Sequence, residues 1–305
     1  MKKSNYSNGY IFILLLLLLC NSCEKNIDLN LDKTPPMLVV EAYINNSLRT
    51  YNYVIIGKTV NFNESQFANT AVEKATVTIT EGDFEKGKGY QWNTASKVTM
   101  KEGKTPGMHG LYVPGAYFDP KLTTDSSHAL LGKPGKAYLL EIVAEGRKYT
   151  AITTLPIPVP IDSLTNTPPF KDDSGKILAR LTVHYTDPDT LGNAQIYYWG
   201  NRYTKNTFGW GALSTDRYLP NTDELVNGQA IHITHSAPLP IGDTAIYYLV
   251  SIERPVYDFW DSFNKARVNS GPFSTPVVLK SNIKGSNVVG CFSGFAVSSM
   301  KHVMK

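Results

Sequence analysis

The segment KATVTIT sets Ala75, Val77 and Ile79 at alternate positions, with Thr76, Thr78 and Thr80 between them. Successive side chains of a strand point to opposite faces, so a period of two specifies a half-buried β-strand and excludes an amphipathic helix over the same residues. The composition recurs in MLVVEAYI, YNYVIIGKTV, GLYVP, KAYLLEIVA and RKYTAITTL, which are rich in Val, Ile, Thr and Tyr and separated by Gly, Asn and Pro. Short strands at this spacing predict an antiparallel β-sandwich over residues 36–155. AEGR, from Ala144 to Arg147, places a glycine between two of the runs and predicts a hairpin turn.

The pattern is interrupted at TLPIPVPIDS, where Pro156, Pro158 and Pro160 alternate with aliphatic residues. Proline favours extended chain and cannot donate to a central strand, so residues 156–163 are expected to be a hinge between two units. Strand signal resumes in KILARLTVHYTD, AQIYYWGNRYT, GQAIHITHS and DTAIYYLVSIE, predicting a second, mostly antiparallel β domain over residues 164–305. Within it, Val256, Phe259, Trp260 and Phe263 fall at i, i+3, i+4 and i+7 just after Pro255, the spacing of one short helix near residues 256–267. In IYYW, Ile196 and Tyr198 share one face and Tyr197 and Trp199 the other. Either both faces are covered or one carries a ligand platform. Trp199, Trp210, Tyr257, Phe259, Trp260 and Phe263 concentrate aromatic surface in this half and form the candidate contact surface, in competition with a core role.

The amino terminus says where such a chain works. Lys2 and Lys3 precede an apolar run, Tyr10 to Leu19, which is shorter than the roughly 20 residues of a membrane-spanning helix and has the form of an export signal. The run ends in CNSC. Bulky Leu19 precedes Cys20, whereas small Ser22 precedes Cys23, so processing is expected at Cys23. Cys23 resembles the lipobox cysteine of bacterial lipoproteins, the acylated first residue of the mature chain. Residues 1–22 are then a signal peptide, and residues 23–35 a lipidated amino terminus and tether. Acyl chains on Cys23 would hold the chain to a membrane that it does not cross. Of the three cysteines only Cys291 would remain, which leaves no intramolecular disulfide. Cys291 lies in CFSGFAVSS with no basic neighbour and is expected to be a buried, unreactive residue.

Charge and motifs exclude several classes of function. Without Lys2 and Lys3 the chain keeps 28 basic residues against 26 acidic ones, and no basic stripe suited to nucleic acid is present. There is no Gly-x-Ser-x-Gly elbow and no His-Glu-x-x-His pair. Gly57, Lys58 and Thr59 match the tail of a phosphate loop, but Asn52 replaces its first glycine and the segment reads as strand. The odd spacing of His232 and His235 points them to opposite faces of a strand, against a shared metal. Asp187 and Asp189 imitate a calcium loop, yet Leu191 and Tyr198 stand where oxygen ligands are needed, so a solvated turn at Pro188 is expected. No catalytic residue, cofactor or metal is assigned. His184 with Asp187, or His128 with Asp125, could supply half of a dispersed hydrolytic site.

SCEKNIDL, PMLVVEAYI, PGKAYLLEIVAEGRKYTA, TLPIPVPIDS, DPDTLGNAQIYYW and the long closing segment from DTAIYYLVSIERPVYDFWDSF to GCFSGFAVSS together resemble a Bacteroidota lipoprotein family known as domain of unknown function 4249. The most specific part is the order Pro272, Phe273, Pro276, Ser281, Asn282, Ile283. The GSNVVGCF that follows departs from the family's usual Asn-Gly succession at Ser286 and Asn287. The resemblance brings no catalytic residues. It implies an envelope lipoprotein at the outer membrane, on its periplasmic or outer face, associated with TonB-dependent transport and with an unknown small-molecule or glycan ligand. The first unit is also similar to Ig-like and prealbumin-like sandwiches. A non-enzymatic binding or accessory role is the expectation, with an envelope hydrolase or a structural surface-assembly protein as alternatives.

Overall fold

The computed structural model describes residues 35–60, 70–103, 108–118, 121, 129–201, 221–269 and 275–305. The protein is mainly β, with strands numbered in chain order. Its largest sheet has eight strands in the order β14 (Asn221–Thr222), β13 (Ala194–Asn201), β16 (Thr244–Ile252), β17 (Val288–Val303), β1 (Leu38–Asn45), β2 (Val54–Lys58), β7 (Leu111–Val113) and β6 (Lys101–Glu102). A five-stranded sheet runs β4 (Gly89–Trp92), β3 (Thr76–Glu85), β8 (Ala137–Ala144) and β9 (Arg147–Thr154), with β5 (Val98–Thr99) paired to β3. A four-stranded sheet contains β10 (Ser163–Asn166), β11 (Phe170–Lys171), β12 (Ile177–Thr186) and β15 (Ala230–Pro240), the last paired to β12.

Alternation along the strands assigns the faces. Val40, Ala42 and Ile44 of β1 join Val77, Ile79, Leu140 and Ile142 of the five-stranded sheet in one core. Trp199, Tyr247 and Leu249 join Leu181, Val183 and Tyr185 of the four-stranded sheet in another. The opposite face of the large sheet, with Tyr43, Ile196, Tyr198 and Val250, is covered by α1 (Arg254–Val268). Both faces of IYYW are thus covered, Ile196 and Tyr198 by the helix and Tyr197 and Trp199 by the four-stranded sheet.

The expected hinge does not divide the molecule in two, and this is a correction to the sequence reading. β17 is sixteen residues long. Its first eight residues pair in parallel with β1, from Leu38 with Val288 to Asn45 with Phe295. Its last eight pair antiparallel with β16, from Ser251 with Ala296 to Thr244 with Val303. One strand therefore belongs to both sandwiches, and residues from Pro36 to Lys305 form one compact unit. The proline-rich segment packs instead of swinging: Val159 and Ile161 are buried in the core against the four-stranded sheet, and the Val159 amide donates to Ser251 Oγ at 3.1 Å. Prolines hold this chain extended, and the aliphatic residues between them supply the burial.

Two local expectations hold in detail. The AEGR turn joins β8 to β9 through Glu145 and Gly146, both at positive φ (50° and 74°), the backbone of a two-residue hairpin. Gly57 and Lys58 lie in β2, so the phosphate-loop likeness is strand.

Candidate binding cleft

α1 begins after Glu253 with Pro255 in its first turn, where the missing amide hydrogen costs nothing. Val256, Phe259 and Trp260 are buried against the sheet, and Lys265 and Arg267 lie in the last turn, where the helix dipole favours cations. Glu253 ties the helix start to the five-stranded sheet: Thr153 Oγ1 and Thr154 Oγ1 donate to its two carboxylate oxygens at 2.8 and 2.7 Å.

Between α1 and the parallel pair β1/β17 lies a cavity of about 270 Å³. Phe259, Trp260, Phe263, Val39 and Leu279 make most of its wall, Glu41 and Cys291 its polarisable part, and Arg267 stands at its edge. Glu41 and Cys291 meet here because they are register partners across the parallel pair. Tyr43 Oη donates to Glu41 Oε1 at 2.9 Å. Burial raises the Glu41 carboxyl above the ordinary carboxylate range, against the opposing effect of the Tyr43 and Tyr53 hydroxyls. Burial likewise raises Glu253, opposed by Thr154 and Thr153. The Cys291 thiol is pushed up to about 12, chiefly by burial and further by the Glu253 and Glu41 charges, against a hydrogen bond from Ser293. It stays protonated and is a poor nucleophile at neutral pH.

The Glu41 shift sets a sign for stability. A carboxyl whose folded pKa is raised holds its proton in the folded chain after the unfolded chain has released it. Its stabilising contribution is complete below about 4.5 and is lost as pH rises through the folded value. Glu41→Gln, which keeps an acceptor for Tyr43, is expected to reduce the fall in unfolding free energy between pH 4.5 and neutrality, read from urea curves at several pH values. Parallel pH profiles for the variant and the parent would contradict the assignment.

The structure sorts the residues expected to form a contact surface. Trp199 is 7 % exposed, Phe259 7 % and Trp260 5 %, so these three are core, not free surface. The reason is that each projects from an element covered on that side: Trp199 lies beside His235 and the four-stranded sheet, and Trp260 stacks on Tyr43 and donates to Ser293 Oγ. Tyr257 and Phe263 are half-buried, with the Arg254 guanidinium over the Tyr257 ring at 5.2 Å. Trp210, Cys23, His128 and Asp125 lie outside the described residues. His184 and Asp187 are not brought together. His184 faces outward, while Asp187 is 1 % exposed and accepts from Gln195 Nε2 at 3.1 Å and the Gly228 amide at 3.4 Å. The turn after Pro188 is solvated as expected, with Asp189 to Gly192 exposed, and only Asp187 at its start is buried. His232 lies on the outer face of β15 and His235 on the inner one, 3.2 Å from Tyr247 Oη.

A family described as "Domain of unknown function (DUF4249)" matches residues 24–301 of the chain. The chain belongs to this family. No curated protein matches this DUF4249 chain. Among solved structures it is similar to a DUF3823 family protein from Bacteroides uniformis ATCC 8492, with 10 % identity, a TM-score of 0.21, and coverage of 89 % of the DUF4249 chain and 100 % of the other. A score at that level bears on neither fold nor function.

Two features of the DUF4249 chain escaped the sequence. Phe84, Tyr90 and Trp92 form an aromatic patch on the β3–β4 hairpin, with Phe84 63 % exposed and the Tyr90 and Trp92 rings stacked at 5.3 Å. The signal was available, since Tyr90 and Trp92 stand two apart in GYQW after the turn EKGK. The cleft could not be read, because the pairing of Glu41 with Cys291 exists only through the β1/β17 register.

Proposed function

We propose that this DUF4249 chain is an envelope-anchored lipoprotein, held to the outer membrane by lipid on Cys23, that works by binding as an accessory to TonB-dependent transport. The observation that carries the binding part is the cleft under α1: about 270 Å³, walled largely by aromatic and aliphatic side chains, with the Glu41 carboxyl as its hydrogen-bonding group. Small-molecule sites combine an apolar wall with a few placed polar groups in this way. The ligand it fits is a small, mainly apolar molecule with one hydrogen-bonding group for Glu41. The anchoring part is supported by the LLLLLLCNSC leader and by the family resemblance.

Two measurements test the two parts separately. N-Phenyl-1-naphthylamine, an apolar dye with a single N–H, is expected to bind with one-to-one saturation of its fluorescence. Leu279→Trp, which fills the cleft, should abolish that signal, while Val278→Trp on the exposed neighbouring position should not. Dye binding that survives Leu279→Trp overturns the cleft. Metabolic labelling with a fatty-acid probe should survive Cys20→Ala and vanish in Cys23→Ala; label retained in the second variant overturns the anchor. Crosslinking of whole envelopes should then recover a TonB-dependent transporter with the parent chain.

A further inference from the structure

The outer face of the four-stranded sheet brings two histidine rings together. β12 and β15 run antiparallel, and His184 stands directly opposite His232. Their Nδ1 atoms are 2.6 Å apart, with the ring centroids at 4.7 Å and the planes at 61°. His184 is half-buried and His232 exposed. On the far side of the His184 ring, Nε2 lies 2.7 Å from Thr165 Oγ1 of β10. With that hydroxyl accepting from Nε2–H, Nδ1 of His184 carries the free lone pair, and it points at the second ring.

We propose that His184 and His232 chelate a divalent transition metal of the borderline class, Zn²⁺, Ni²⁺ or Cu²⁺. Neutral imidazole is the ligand that these ions select, whereas calcium and magnesium take oxygen. Two ring nitrogens bound to tetrahedral zinc at about 2.0–2.1 Å are about 3.3 Å apart. The observed 2.6 Å separation opens to that distance by small side-chain rotations, with both strands kept in register. The ion takes the place of the hydrogen between the two Nδ1 atoms: His232 gives up its Nδ1 proton to solvent and takes one up at its exposed Nε2, so both ligands remain neutral imidazoles. Thr165 acts as a positioning residue, because its hydroxyl selects the tautomer of His184 as outer partners of metal-bound histidines do. The surroundings leave room for the ion. Thr182 and Thr234 bond each other at 2.9 Å at the next position along the face, and Thr186 donates to Asp162 at 3.0 Å on the other side. Arg180 on the same strand is engaged with the Phe170 ring and the Ser236 carbonyl. Among the described residues no three histidine, cysteine or acidic side chains converge. The chelate is therefore two-coordinate from the protein, with water or an incoming ligand in the remaining positions.

Calorimetric titration of the full chain with Zn²⁺ tests the proposal, together with paramagnetic resonance of bound Cu²⁺. One ion per chain is expected, with Cu²⁺ spectra showing two imidazole nitrogens. His184→Ala and His232→Ala should each weaken Zn²⁺ binding by at least about tenfold and remove one nitrogen from the spectrum, and Thr165→Val should weaken it by a smaller factor. His302→Ala, whose ring pairs with Asn166, should bind like the parent. Thermal unfolding of each variant is measured alongside, with His232→Gln as the substitute for any variant that does not fold. The proposal is overturned if the parent takes up no Zn²⁺ at millimolar concentration, or if both histidine variants bind as the parent does, which would place the ion elsewhere, for example at the His109–Glu73 pair.

Discussion

The isolated segment 36–155 is expected to stay molten: compact by scattering, without near-ultraviolet dichroism, and without a cooperative urea transition. Its sandwich is incomplete. Phe292 and Ile283, both from beyond residue 280, are buried in the core between β1 and the five-stranded sheet. Full burial of one such side chain is worth about 1.5–3 kcal/mol. β1 would also lose the eight-residue parallel pairing with β17, exposing a long hydrophobic edge. Losses of this kind add to a sum comparable with the whole stability of a domain, about 5–15 kcal/mol. Addition of a peptide spanning 281–305 should restore dichroism. A cooperative transition in the segment alone would instead return the boundary to the prolines at 156–160.

The second large effect is expected from a single methyl group. At Gly290 a Cβ would sit 1.9 Å from the Val40 carbonyl oxygen and 2.7 Å from its carbon, at a φ of +150°. Both obstacles are main chain of the paired strand, so relief requires β17 to move away from β1. Gly290→Ala should cost about 3 kcal/mol or more, from backbone strain and overpacking together. Gly146→Ala is the control. Gly146 also has positive φ, +74°, but nothing lies within 4 Å of its Cβ, so only a conformational cost of about 1–2 kcal/mol remains. Equal losses for the two variants in chemical denaturation would show that the close approach of the strands is not what requires Gly290.

What the sequence conveyed followed burial. KATVTIT, the AEGR hairpin and the helix stripe were legible because each has one covered face and one open one, or a turn that needs positive φ. β17 was not legible as a pairing partner because it is covered on both faces through residues 290–297, which erases the period of two. The prolines were legible as an interruption but not as a packed segment. For the same reason the aromatic residues of the second half were ambiguous. Composition gives their abundance, and only the packing of the four-stranded sheet over Trp199 and of α1 on the large sheet shows that Trp199, Phe259 and Trp260 are buried. The facing of His184 and His232 needed the β12/β15 register, which no spacing within either strand contains.

The shared strand also sets an order of events. Leu38 pairs with Val288, so the contact that completes the first sandwich joins positions 250 residues apart. Closing a loop of that length costs about 5 kcal/mol of chain entropy before any contact repays it. Long-range parallel pairing of this kind folds slowly. A nascent chain cannot complete either sandwich until β17 has been made, so the earlier strands stay without their native packing while residues 46–287 are synthesised. Under the export proposed above, such a delay would keep the chain open to translocation, and β17 becomes the element by which quality control can tell a chain that has closed both sandwiches from one that has closed neither.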